Sequence, residues 1–213
     1  MPRHDGLDPL RKADILATLE LLCTQGGDAH VPVSVVGKWR GHVEHPAGHV
    51  VGHPWLKVVR VDHPDDLRTV ADLARRYPTP PSRNQGEMDV VAISKRLGFT
   101  ALMEDGVGCK QADDHGVAHL AIVTLLACGA ACDLLEHKLA WRTHVAVEAT
   151  RRGYHSILLA DRDGRRGFAA AVMALRALRR QQGEPSVARF IAQRDLDSVL
   201  LAAARAAMNV PVG

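Results

Sequence analysis

Residues 84–117 read NQGEMDVVAISKRLGFTALMEDGVGCKQADDHGV. From Gly86 the pattern is that of a helix, GEMDVVAISKRLG, which stops at Gly98, a natural C-cap. FTALMED then reads as a short strand and GCKQADDHG as a short helix. One acid, Glu87, opens the first helix, and two more, Glu104 and Asp105, stand where the strand ends. A core segment has no need for acids at those points. A metal site has, because clustered carboxylates repel each other and Mg²⁺ or Mn²⁺, bound by hard oxygen ligands, relieves the repulsion. In an open parallel sheet, ligands bind beyond the carboxyl ends of the strands, where Glu104 and Asp105 fall. Glu87 reaches the same edge only if the helix runs back and the chain folds tightly.

Simpler readings stand beside this one. Glu87 suits a helix N-terminus on dipole grounds alone. Glu104 and Asp105 precede Gly106, and Asp-Gly is an ordinary turn dipeptide. Asp89 lies two residues past Glu87, about 200° around the helix, and is expected in solvent. Asp113 and Asp114 read as surface charge.

Outward from this stretch, strands alternate with helices. DPLRKADILATLELLC is an amphipathic helix with Asp8 as cap and Pro9 in its first turn. HVPVSVV is a strand or a strand passing into a helix, and WLKVVRVDH is a strand. PDDLRTVADLARRY is a helix opened by Pro64, and PTPPSRNQ is a loop. VAHLAIV reads as a strand. TLLACGAACDLLEHKLAWRTHVAVEATRRG reads as helical, broken near Gly129 or Glu136. The expected fold is α/β: an open, mostly parallel sheet covered by helices on both faces. From Ser156 the chain becomes rich in Ala and Arg, so the expected division is an α/β domain over 1–155 and a helical extension over 156–213.

The 213 residues suffice for one domain with a real core, plus an extension. Apolar residues make up 46% and aromatic ones only 4%, so aliphatic side chains must build that core. The net charge of +3 permits a polyanionic partner without demonstrating one. No apolar run is long enough for a bilayer helix and MPRHDGLDPLRKADILATLELL has no signal-peptide pattern, so a cytoplasmic protein is expected. Cys23, Cys109, Cys128 and Cys132 form no disulfide or zinc-ribbon pattern, and Cys128 and Cys132 read as buried thiols.

The run from Gly86-Glu87 through Lys95-Arg96-Leu97-Gly98, the pair Glu104-Asp105, then Gly108, Lys110, Ala112 and Gly116-Val117, resembles the core of the PIN-domain family. These are metal-dependent nuclease domains, common as toxins of bacterial toxin–antitoxin pairs. HLAIVTLLACGAACDLL resembles the family's final strand and helix. The resemblance is strongest over 84–135. It implies an endoribonuclease in which Glu87, Glu104 and Asp105 hold one or two Mg²⁺ or Mn²⁺ ions. It also implies an RNA substrate and an antitoxin partner, while the apolar stretches AAAVMAL and SVLLAAARAAM could pack on the sheet, on a second subunit in a homodimer or on an antitoxin. Asp105→Ala is then expected to abolish cleavage without affecting folding.

The chain departs from the family pattern in three places. The family's first strand, with an Asp near its end, has no counterpart before MPRHDGLDP, where Asp5 and Asp8 read as turn and cap residues. Lys38 stands at the closest match to an expected acid, with Glu44 six residues on. The acid pair begins with Glu104 where the family branch more often has Asp. Either the true start lies upstream of Met1, or the domain has lost its metal site and binds RNA or a protein without cutting. An unrelated α/β enzyme is the third reading, and no Gly-rich phosphate loop, nucleophile elbow or dinucleotide fingerprint supports it.

Two further clusters stand out. His42, His45, His49 and His53 have metal-like spacing, but Pro46, Gly48 and Gly52 break any helix there, so a loop that becomes cationic in acid is the plainer reading. Arg151, Arg152, Arg162, Arg165, Arg166, Arg176, Arg179 and Arg180 crowd the C-terminal third. Arg165 and Arg166 are the expected substrate contacts, since a guanidinium matches phosphate geometry. A solvated helix face is the alternative.

Overall fold

The computed structural model describes residues 9–40, 53–78, 84–149, 157–159 and 161–208, with side chains left out at 9–14, 26 and 37–40. Asp5, Asp8, His42, Glu44, His45, His49, Arg151 and Arg152, together with the side chain of Lys38, lie outside that description. The chain forms two compact units. One comprises residues 26–119, and the other joins 1–25 to 120–213. The expected extension, 156–213, is therefore grouped with the N-terminal helix and with 120–155.

In the unit of residues 26–119, β1 (Ala29–Pro32) pairs in parallel with β2 (Leu56–Val59), in the register Ala29 to Leu56 through Pro32 to Val59. Helix α2 (Val33–Arg40) begins directly at the end of β1. Helix α3 (Pro64–Arg76) starts at His63, whose Nδ1 accepts from the Asp65 amide at 3.2 Å, and carries acids in its first turn and arginines in its last, as a helix dipole favours. Helix α4 (Gln85–Leu97) ends at Gly98, which adopts φ +68°, the left-handed conformation a glycine supplies without strain. Next come β3 (Ala101–Leu102), α5 (Gly106–Asp114) and β4 (His119–Leu120), with the Ala101 amide donating to the Ala118 carbonyl at 2.8 Å. Leu73, Met88, Val91, Ala101, Met103, Ala112 and Val117 form the core. Arg96 of α4 donates to the fully buried Asp66 of α3 at 2.8 Å, which pins these helices through a charge-assisted bond.

The other unit is built on α1 (Pro9–Cys23), α6 (Ile122–Ala131), α7 (His137–Ala149), α8 (Arg162–Gln181), α9 (Val187–Ile191) and α10 (Leu196–Met208). Helix α6 is buried from Val123 to Ala131. Small residues set the close approaches: a Cβ on Gly167 of α8 would lie 3.0 Å from the Ala204 Cβ of α10. Asp197, in the first turn of α10, accepts from the Ala121 amide before α6 through both oxygens, at 3.1 and 3.2 Å. Cys128 and Cys132 are buried as expected, and burial pushes the Cys23 thiol up to about 11.

Helices dominate the described residues, and strands enter as two two-stranded pairings. The expected strands shrink. Only Ala101–Leu102 of FTALMED pairs as a strand, and VAHLAIV keeps His119–Leu120 before Ile122 and Val123 enter α6. A continuous apolar run carries no period that separates a buried strand from a buried helix. No helix among the described residues is long and apolar enough to cross a membrane.

His144 of α7 is buried beside Phe168 and Trp141 and donates from Nε2 to the Leu158 carbonyl at 2.9 Å. Burial lowers its pKa to about 4. The unfolded chain takes up this proton near the ordinary pKa of 6.5, so the stabilisation is complete above 6.5 and is lost as pH falls from there to about 4. Urea denaturation at pH 7 and pH 4 should show His144→Gln escaping a loss on the order of 3 kcal/mol that the wild type suffers. Parallel losses in the two proteins would mean that His144 is not the titrating group.

Candidate acid site

Asp105 follows β3 and is the N-cap of α5. Its Oδ1 accepts from the amides of Val107 at 2.9 Å and Gly108 at 3.0 Å. Glu87 lies in the first turn of α4, partly buried, with Oε2 shielded from solvent and without a hydrogen-bond partner among the described residues. The two acids meet at Gly108. A Cβ on that glycine would stand 3.5 Å from Cγ and 3.6 Å from Cβ of Glu87, and 2.7 Å from the Met103 methyl. The stem of Glu87 thus packs on the turn of α5 that Asp105 caps. The tight folding needed to bring the helix start and the strand end together is present. Glu104, also partly buried, directly precedes the cap.

Both first turns carry the positive end of a helix dipole, which favours carboxylates there. A shielded carboxylate oxygen without a donor is costly, and a cation or a donor from a ligand would satisfy it. The donor set suits a hard cation such as Mg²⁺, which binds through one or two carboxylates and keeps several waters. Among the described residues no group of three or more His, Cys, Asp or Glu is arranged to hold a metal.

Asp89 corrects the sequence reading. It is 5% exposed, accepts from Ser34 Oγ just past β1, and accepts from Gln85 Nε2 at 2.6 Å. With Gln85 it lines a cleft of about 380 Å³ whose wall includes Val33, which follows β1, and Arg60 and Asp62, which follow β2. The cleft therefore lies at the carboxyl ends of both parallel strands, where α/β folds bind ligands. One signal was available in the sequence: an Asp inside the helical run MDVVAI, four residues after Gln85, is a poor helix former that needs a local reason to be there.

Arg165 and Arg166 belong to the other unit and are exposed on α8. Arg166 Nη2 donates to the Ala207 carbonyl at the end of α10, at 3.1 Å, so it has a structural task. His53 is described but joins no metal-holding group among the described residues. Asp113 lies beside His119 Nε2 at 3.1 Å, and Asp114 accepts from the Tyr77 hydroxyl at 2.6 Å.

Comparison with family models, with curated proteins and with solved structures finds no match to the chain.

The cap changes what an alanine at position 105 can report. Asp105→Ala removes two hydrogen bonds at the start of α5 and should cost about 1 kcal/mol in urea denaturation, so folding is not left unchanged. Asp105→Asn keeps a capping side chain, removes the charge, and should stay within about 0.5 kcal/mol of wild type. Equal stability of all three proteins would contradict the cap.

Proposed function

We propose that the chain is a metal-dependent endoribonuclease of the PIN type, the toxin of a toxin–antitoxin pair. The observation that carries this reading is the meeting of Glu87 and Asp105 at Gly108, with one Glu87 oxygen shielded and unpartnered among the described residues. The resemblance over 84–135 picks out the same acids. Glu87, Glu104 and Asp105 are the residues that would hold Mg²⁺ or Mn²⁺. Such an ion lowers the pKa of water to supply a nucleophile and neutralises charge on a phosphodiester. Asp105 contributes orientation, because its cap fixes one oxygen and with it the plane of the carboxylate. Glu87 contributes an oxygen in a dry setting, where its charge interacts more strongly than in water. Arg165 enters as an RNA contact, and Arg166, whose Nη2 is held on the Ala207 carbonyl, as a weaker one. An open sheet covered by helices on both faces, an antitoxin, a homodimer and a cytoplasmic location belong to the same proposal.

A second reading is a module of this type that binds RNA or a protein without cutting. It is favoured by the use of Asp105 as a cap.

Incubation of a labelled RNA containing stem-loops and single strands with Mn²⁺ or Mg²⁺, against EDTA, separates the two. The nuclease reading expects metal-dependent cutting that drops at least a hundredfold in Glu87→Gln and in Asp105→Asn. No cutting by the folded wild type in either metal favours the binding module.

A further inference from the structure

The charge of the protein is divided unevenly. Residues 1–25 and 120–213 carry 16 Lys and Arg against 12 Asp and Glu, whereas residues 26–119 carry 11 against 12. Within the first of these units α8 holds six arginines. Three have structural tasks: Arg166 on the Ala207 carbonyl, Arg176 on the Ala130 carbonyl and Asp133, and Arg179 on the Pro185 carbonyl. The other three, Arg162, Arg165 and Arg180, are exposed and have no side-chain hydrogen bond or ion pair with another described residue.

Their arrangement is one-sided. Phe168, Ala171, Val172 and Leu175 bury a face of α8 centred about 130° round from Arg162 and Arg180, and Arg165 stands at its edge, about 20° from Val172. At about 100° per residue, Arg162 and Arg180 share one azimuth and Arg165 lies about 60° away, over a length of about 27 Å. Helix stability does not account for the first two. Arg162 and Arg165 stand at the N-terminal end, where the dipole disfavours cations. The one large apolar side chain on this face is Met173, 62% exposed, which is too little for the apolar centre that a protein interface needs. A polyanion with regularly spaced charges fits better, because guanidinium forks match phosphate oxygens without an apolar anchor.

We propose that the outer face of α8 is a phosphate-tracking surface for single-stranded RNA, made by Arg162, Arg165 and Arg180. It rests on the ribonuclease reading for the choice of RNA as ligand, and RNA binding here does not require the acids to be active. Contacts to phosphate carry no sequence information, so binding is tolerant of sequence and strongly salt-dependent.

The test is fluorescence anisotropy of a labelled, mixed-sequence single-stranded RNA with the full chain in EDTA, over a range of salt. The wild type should bind this RNA at low salt and lose it as salt rises. The triple variant Arg162→Ala, Arg165→Ala, Arg180→Ala should bind at least tenfold more weakly at low salt, with the slope of log K on log salt shallower by about 2 for three lost phosphate contacts. The corresponding triple Lys variant should recover most of the binding. Unchanged affinity and slope in the triple Ala variant would overturn the proposal, as would failure of the wild type to bind RNA at low salt. Poly-glutamate competing as well as RNA at equal charge would reassign the face to an acidic protein. If this binding holds and no RNA is cut, the nuclease reading fails while the surface stands; cutting without the Arg dependence gives the reverse.

Discussion

The contact between Glu87 and Gly108 is the constraint on which the candidate site depends. A side chain at 108 would have to share space with the Met103 methyl and the Glu87 stem. With glycine there, the first turn of α5 lies against the first turn of α4. Two positive helix ends and two carboxylates are then gathered in one place. The dipoles offset part of the repulsion that clustered acids suffer. The same arrangement suits helix capping as well as the proposed cation binding, which is why sequence alone left those readings open.

The two units are held in different ways. Residues 26–119 have a small core and rely on specific polar pins: Asp66 with Arg96, Asp89 with Ser34 and Gln85, and Asp105 with the start of α5. Removing one partner of such a buried pair leaves the other unsatisfied, so each pin fixes position more than it adds net stability. The other unit is held by apolar burial along α6 and α8 and by close approach at Gly167. Its charges are outside the core, so α8 can carry six arginines without disturbing the packing.

Helices were legible where a local device marks them. Pro64 opens α3 and Gly98 closes α4, whereas α5 begins at Gly106, two residues before the expected GCKQADDHG, because Asp105 caps it where a turn was expected. Strands were legible in place but not in length: β1 and β2 are four residues each and β3 and β4 two, too short for a period to mark their ends. Asp89 was misjudged for a different reason. Its angle from Glu87 was right, but α4 has no free side at its start: it packs against α3 and α5, and also against β1 and α2. Both directions point into the protein. Glu87 and Asp105 were legible as acids at helix and strand ends. Their meeting was not, because it depends on what a glycine at 108 permits across the α4–α5 contact.

The most direct test of the account is whether Glu87 and Asp105 share a cation. Mn²⁺ binding can be followed by the loss of the free-ion electron paramagnetic resonance signal as protein is added. The account expects saturable binding by the wild type, weakened at least tenfold in Glu87→Gln and again in Asp105→Asn, with Asp113→Asn unchanged. Equal Mn²⁺ binding by all four proteins would contradict it and would leave these acids as helix caps.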